Sequence, residues 1–141
     1  MKLTGRTILI TGGSAGIGLA FALKFVELGN EVIVTGRRQE VLDDVHAKYP
    51  KLHTIQSDVA DPAQIAALAA RVKSDLPKLD ILMNNAGIML HKNLKVPSTD
   101  LEGLMAEVNI NVAGGSWAGQ DPCANASPRP GFHQPPALEG F

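Results

Sequence analysis

The 141 residues predict a doubly wound α/β fold built on a parallel sheet. Short apolar runs without strict alternation recur along the first 114 residues, separated by stretches of helical periodicity, as buried parallel strands and their crossover helices require. A glycine-rich turn joins the first apolar run to the first helix. The remaining motifs fall where strands end, the edge at which open α/β sheets bind ligands.

Thr7-Ile8-Leu9-Ile10, β-branched and apolar, is the first predicted strand. Ile17, Phe21, Phe25 and Leu28, spaced four, four and three apart, make one stripe of a first helix, which Gly29-Asn30 closes. Val32-Ile33-Val34 is a second strand, and Gln39 to Tyr49 a second helix stopped by Pro50. Leu52 to Gln56 reads as a weaker third strand. Asp61-Pro62 supplies an N-cap and a first-turn proline to a helix running through Ala66, Ala69, Ala70 and Lys73. Ile81-Leu82-Met83 is the fourth strand, and Leu101 to Val112 a further helix. Right-handed crossovers then favour a doubly wound sheet, with 3-2-1-4 the expected strand order.

Composition shifts after Gly114. Residues 115–141 hold four Gly and five Pro, the single Trp117 and Cys123, no Lys, and neither helical nor strand period. The predicted organisation is a partial domain over 1–114, its sheet truncated after about four strands, and an irregular tail over 115–141. Three readings of the tail stay open: a disordered linker, a docking arm using Trp117 and Phe132, or an end read out of frame from a GC-rich coding sequence.

Thirteen basic against fourteen acidic residues leave a formal charge of −1, with no basic field for nucleic acid or anionic lipid. With 45% hydrophobic and 19% charged residues, wholesale disorder is excluded. One cysteine cannot make an intrachain disulfide, and His46, His53, His91 and His133 lie too far apart for a compact metal motif. Gly12, Gly13 and Gly16 break the first apolar run before the length of a signal core or a membrane span. A cytoplasmic protein is expected, with no membrane and no nucleic-acid partner.

Thr11-Gly12-Gly13-Ser14-Ala15-Gly16-Ile17-Gly18 sits between the first strand and the first helix. Glycines there allow a tight turn and close backbone approach, while the helix N-terminus offers free N–H groups and partial positive charge, so a phosphate site is expected. The same stretch satisfies Gly-x-Ser-x-Gly, the elbow of a serine hydrolase, although little chain precedes it to supply an oxyanion donor. Ser14 is better read as lending a donor near a phosphate.

Thr11 to Gly18, Ser57-Asp58-Val59, Asn84-Asn85-Ala86-Gly87-Ile88 and Asn109-Ile110-Asn111-Val112-Ala113-Gly114 occur in the order and spacing of one family. Through them the chain, from Met1 to about Gly114, resembles the short-chain dehydrogenase/reductase family, and looks most like its bacterial D-alanine lipoteichoic acid esterification type branch. The resemblance implies a Rossmann-like fold, a nicotinamide dinucleotide, and hydride transfer between nicotinamide C4 and a small carbonyl or alcohol substrate. It implies a cofactor site at Gly12, Ser14, Gly16, Ile17, Gly18, Asp58, Val59, Asn85, Ala86 and Gly87, with Asp58 and Val59 at the adenine. Gly36-Arg37-Arg38, with no acid at the end of strand two, makes Arg37 the partner of a ribose 2′-phosphate, hence NADP in preference to NAD. Asn111 matches the catalytic asparagine, whose backbone carbonyl holds a water on a proton relay.

The family's catalytic serine and Tyr-x-x-x-Lys have no counterpart here. Tyr49 is the single tyrosine, and no Lys follows Lys95. The chain as it stands is therefore expected to keep the cofactor-binding half without turnover, and to lack the helices that form the family's oligomer interface. The alternatives are a non-catalytic nucleotide-binding or interaction module and, third, a serine hydrolase.

Overall fold

The computed structural model describes residues 3–76, 78–88, 105–107 and 110–111. The chain runs β1 (Thr7–Ile10), α1 (Gly16–Glu27), β2 (Glu31–Gly36), α2 (Gln39–Lys48), β3 (Leu52–Gln56), α3 (Pro62–Asp75) and β4 (Leu79–Met83). The strands form one parallel sheet in the order β3-β2-β1-β4. Ile10 lies opposite Val34 on one side and Met83 on the other, and Thr35 opposite Ile55.

Alternate strand residues feed two cores. Ile8, Ile10, Val32, Val34 and Leu52 pack with Ala22 of α1 and with Leu42 and Val45 of α2. Leu9, Ile33 and Ile55 point to the other face and pack with Leu68 and Val72 of α3. Both faces are covered, which is why β1 and β2 read as continuous apolar runs. Asp80 at the start of β4 is tied to the entry of β1: Arg6 Nη1 donates to Asp80 Oδ1 at 3.0 Å and the Thr7 N–H to Asp80 Oδ2 at 3.1 Å.

Strand order and helix placement agree with the sequence reading, while two details differ. β2 and β4 are longer than the apolar runs that signalled them: pairing of β2 continues through the polar or small Glu31, Thr35 and Gly36, and β4 begins at Leu79, which pairs with Thr7 across a register shift that skips Asp80. The stripe of α1 faces outward in part: Ile17 is 72% exposed, Phe21 43% and Leu28 40%, while Phe25 packs against the core and Gly18 and Ala22 are the buried positions. Gly18 is small because α1 begins in a turn held hard against the strands, whereas Leu19, Leu23, Phe25 and Val26 pack against the core further along the helix.

α1 ends as expected, with Gly29 at φ +78°, its N–H bonded to Val26 O and that of Asn30 to Phe25 O. α3 starts as expected, with Asp61 Oδ1 accepting the Ala63 N–H at 2.9 Å ahead of Pro62. Residues 105–107 of the helix predicted over Leu101 to Val112 are helical; the rest of that stretch, apart from 110–111, and the tail over 115–141 lie outside the described residues. No helix among the described residues is long and apolar enough to cross a membrane.

Candidate functional site

The turn after β1 is moulded to its neighbours. Gly12 has φ +65°, and a Cβ built on it would stand 2.8 Å from Ala86 Cα. Gly13 would place a Cβ 2.6 Å from Val34 Cγ1, and Gly18 would drive one into Gly12 O and within 2.5 Å of Asn85 Nδ2. Gly16 differs: nothing lies within 4 Å, and its φ of +54° alone calls for glycine. The turn is therefore pressed against both β2 and the segment after β4.

Hydrogen bonds lock that contact. Thr11 Oγ1 accepts from Asn85 N at 3.0 Å and from Ala86 N at 3.1 Å, while Asn85 Nδ2 donates to Thr11 O at 3.2 Å and Gly12 O at 3.1 Å. The Gly13 N–H reaches Thr35 O at 3.0 Å. Asn85 thus braces the turn with its side chain, and Ala86 offers only a methyl beside it.

A cleft of about 390 Å³ opens at the carboxyl ends of the strands. Of the residues the sequence singled out, Gly12, Ser14, Ile17, Gly18, Arg37, Asp58, Val59, Asn85, Ala86 and Gly87 all line it. Gly16 does not line the cleft, and neither does Asn111, although its neighbour Ile110 does. The Asn111 side chain forms a two-point clamp on Ile88, accepting its N–H and donating to its carbonyl, each at 2.7 Å.

At the far end, Arg37 is exposed and pairs with no carboxylate among the described residues. Asp58 Oδ1 accepts the Ala60 N–H at 2.9 Å, so its carboxylate caps the turn into α3 while it borders the cleft; Val59 is buried beside it. Among the described residues no histidine lines the cleft with Ser14: His46 and His53 border a separate hollow with Glu31 and Arg71.

Thr35 and Ser57 were missed by sequence reasoning. Both line the cleft, both are buried, and neither hydroxyl has a hydrogen-bond partner among the described residues. Their one sequence signal is a hydroxyl residue at the end of an apolar strand. Thr11 carried the same signal without being assigned a role of its own. Backbone N–H groups at the start of α1, an unpaired guanidinium, free hydroxyls and the apolar faces of Ile17 and Val59 together suit an anionic ligand that also carries a flat ring.

Comparison with known proteins accords with this geometry. The sequence profile described as short chain dehydrogenase matches residues 6–121. The chain is 44% identical over 111 residues to the uncharacterized oxidoreductase DltE of Bacillus subtilis (strain 168), covering 79% of this chain and 44% of that protein. It is 45% identical over 87 residues to oxidoreductase asL5 of Sarocladium schorii, 61% of this chain and 35% of that protein. A short-chain dehydrogenase from Streptomyces avermitilis superposes with a TM-score of 0.73 at 34% identity, over 82% of this chain and 42% of that structure. A variant of ElxO with NADPH bound superposes with a TM-score of 0.75 at 27% identity, over 85% and 50%. The chain spans less than half the length of these curated relatives.

Proposed function

This chain belongs to the short chain dehydrogenase family of oxidoreductases, which use a nicotinamide dinucleotide, and from that premise we propose that its cleft binds NADP(H). The observation that carries the reading is the end of β2, where Arg37 pairs with no carboxylate among the described residues and the chain offers Gly36 in place of an acid. A carboxylate there would accept from the 2′-hydroxyl of NAD and repel a 2′-phosphate; a guanidinium reverses that preference. NADPH bound to the ElxO variant lends support.

The residues present fit such a group. The Cβ-free surface of Gly12, Gly13 and Gly18 brings backbone N–H groups to the mouth of α1, where a pyrophosphate would be held. Arg37 and Ser14 would hold the 2′-phosphate, Asp58 and Val59 the adenine, and Asn85 to Gly87 the path beyond it. When bound, the cofactor supplies hydride exchange at nicotinamide C4 with a carbonyl or alcohol. Asn111, clamped to Ile88, is proposed to serve the proton relay through its backbone carbonyl.

The 141 residues contain no Tyr-x-x-x-Lys, and Tyr49 packs against the α1/α2 core, away from the residues of the cleft. We therefore propose that these 141 residues by themselves bind cofactor without turning over a carbonyl. Nicotinamide fluorescence titration tests the first part: NADPH is expected to bind more tightly than NADH, and the reverse order overturns the assignment. Following NADPH oxidation across a carbonyl panel tests the second. No rate above a mock preparation is expected, and Tyr49→Phe should change nothing; turnover abolished by Tyr49→Phe would relocate the active site.

A second reading, a non-catalytic nucleotide-binding or interaction module, draws on the same cleft, since backbone N–H groups at a helix N-terminus hold a phosphate whether or not chemistry follows. Cofactor-dependent capture of a partner by the 141-residue chain, lost on deleting 115–141, would favour it.

A further inference from the structure

We propose that the outer edge of β3 is a self-association surface, on which a second copy of this chain lays its own β3 antiparallel across a two-fold axis at Ile55. Thr54, Ile55 and Gln56 do not line the cofactor cleft, so the surface is separate from it.

Among the described residues β3 pairs with β2 alone, which makes its other side an edge of the sheet. The Ser57 N–H is donated inward, to Gly36 O at 3.0 Å. Peptide groups alternate in direction along a parallel strand, so His53 and Ile55 also turn theirs toward β2, while Leu52, Thr54 and Gln56 turn theirs outward. Leu52 has both groups occupied: its N–H goes to Tyr49 O at 2.9 Å, and its carbonyl accepts from His46 Nδ1 at 2.8 Å. The outward N–H and C=O groups of Thr54 and Gln56 have no partner among the described residues. A hollow of about 460 Å³ runs along this edge, bordered by His46 of α2 on one side and by Arg71 and Leu76 of α3 on the other, and leaves the strand accessible. Unpaired groups on such an edge are a template for another strand.

The occupied groups decide the register. An axis through Thr54 would set Gln56 against Leu52 of the second copy, whose N–H and carbonyl are both taken. An axis through Gln56 would set Thr54 against Asp58, whose N–H is already donated to Gln64 Oε1 at 3.0 Å. An axis through Ile55 sets Thr54 against Gln56 of the second copy and Gln56 against its Thr54, and each pair exchanges both of its hydrogen bonds. Every free group is then satisfied at once. Ile55, on the α3 face of the sheet, meets Ile55 of the second copy at the close-spaced position of the ladder. The surroundings carry both signs of charge, with His53 Nε2 3.8 Å from Glu31 Oε1 and Arg71 Nε donating to Asp75 Oδ2 at 3.3 Å. Two copies therefore do not bring together surfaces of one sign, and the same patch can serve on both sides of the joint.

Cross-linking and hydrogen exchange on the 141-residue chain test this. In a Cys123→Ala background, chains carrying Thr54→Cys and chains carrying Gln56→Cys are mixed and oxidised. Opposed residues of a hydrogen-bonded pair have Cα atoms about 5.5 Å apart, within disulfide reach, whereas position 54 and its own copy lie on a diagonal of roughly 7–8 Å. Mass spectrometry should find the mixed disulfide dimer in several-fold excess over either homodimer. Association through the edge of β4 would favour none of the three. In the wild-type chain, exchange of the Thr54 and Gln56 N–H groups should slow several-fold as protein concentration rises, while that of Leu52, bonded to Tyr49 O, should change far less. Homodimers as abundant as the mixed species, or no cross-link at all, overturn the proposal. So do Thr54 and Gln56 amides whose exchange ignores concentration: protected at every dilution they are covered by their own chain, and unprotected throughout they meet no second copy. Should the cysteine variants not fold by circular dichroism, exchange in the wild type decides.

Discussion

Thr11 and Thr35 are both buried threonines at the carboxyl edge of the sheet, yet their hydroxyls are in opposite circumstances. Thr11 Oγ1 accepts two backbone N–H groups, while Thr35 Oγ1 has no partner among the described residues. Thr11→Val keeps the shape and orphans two donors, so a loss of roughly 1–3 kcal/mol is expected in urea denaturation. Thr35→Val removes an unsatisfied hydroxyl and should be neutral or slightly stabilising in the same measurement. Equal losses from the two would show that Thr35 Oγ1 has found a partner. Arg37→Ala belongs to this scale as well. It should narrow the NADPH-to-NADH affinity gap, and the gap in the wild type should itself shrink as salt rises, since Arg37 is exposed.

The turn and α1 behave as one element, because Gly18 lets the helix start in contact with Gly12 O. Gly18→Ala puts a methyl where the backbone cannot yield, so melting should show a loss of about 1–3 kcal/mol together with weaker nucleotide binding. Ile17→Ala, one residue earlier and 72% exposed, should stay within about 0.5 kcal/mol of the wild type. A large loss at Ile17 would mean that something covers it. The N-cap of α3 carries an ionisable group whose folded environment favours its charged form. Hydrogen bonds from the Gln64 side chain and then the Ala63 N–H hold the Asp61 carboxyl below its ordinary range. A group depressed in the folded state contributes stability above its unfolded pKa and loses it as the pH falls through the folded value. Asp61→Asn caps the helix without titrating, so the gap between wild type and variant should close as acid is added. A gap independent of pH would assign the cap no ionic component.

At the scale of the whole molecule, β3 and β4 are the two edge strands of the sheet among the described residues, and β4 is the more apolar of them. Among the described residues β4 pairs with β1 alone, and Ile81, Leu82 and Met83 are half-buried. An unpaired apolar edge templates association. Light scattering on the purified 141-residue chain is expected to show heterogeneous oligomers in place of a discrete species. A monodisperse monomer that melts cooperatively would show that the edge is covered, and would favour the binding-module reading.

Local pattern sufficed for much of this protein. Apolar runs at Thr7–Ile10 and Val32–Val34, the Asp61-Pro62 cap and the Gly29-Asn30 stop are short-range signals, because each depends on the conformation of a few adjacent residues. Right-handed crossovers in a doubly wound sheet then favoured the order β3-β2-β1-β4, which the structure has. The glycine turn was legible for the same reason: spacing along one segment encodes it. What spacing cannot encode is which atoms meet across segments far apart in the chain. The outward turn of Ile17 and Phe21, the tie of Thr11 to Asn85 some seventy residues later, the clamp of Asn111 on Ile88 and the closeness of Gly36 to Ser14 exist only once the sheet has closed. The sequence by itself determined the elements and the edge where a ligand would lie; the tertiary structure decided which side chains that edge leaves free, since freedom or satisfaction of a polar atom is a property of its neighbours in space.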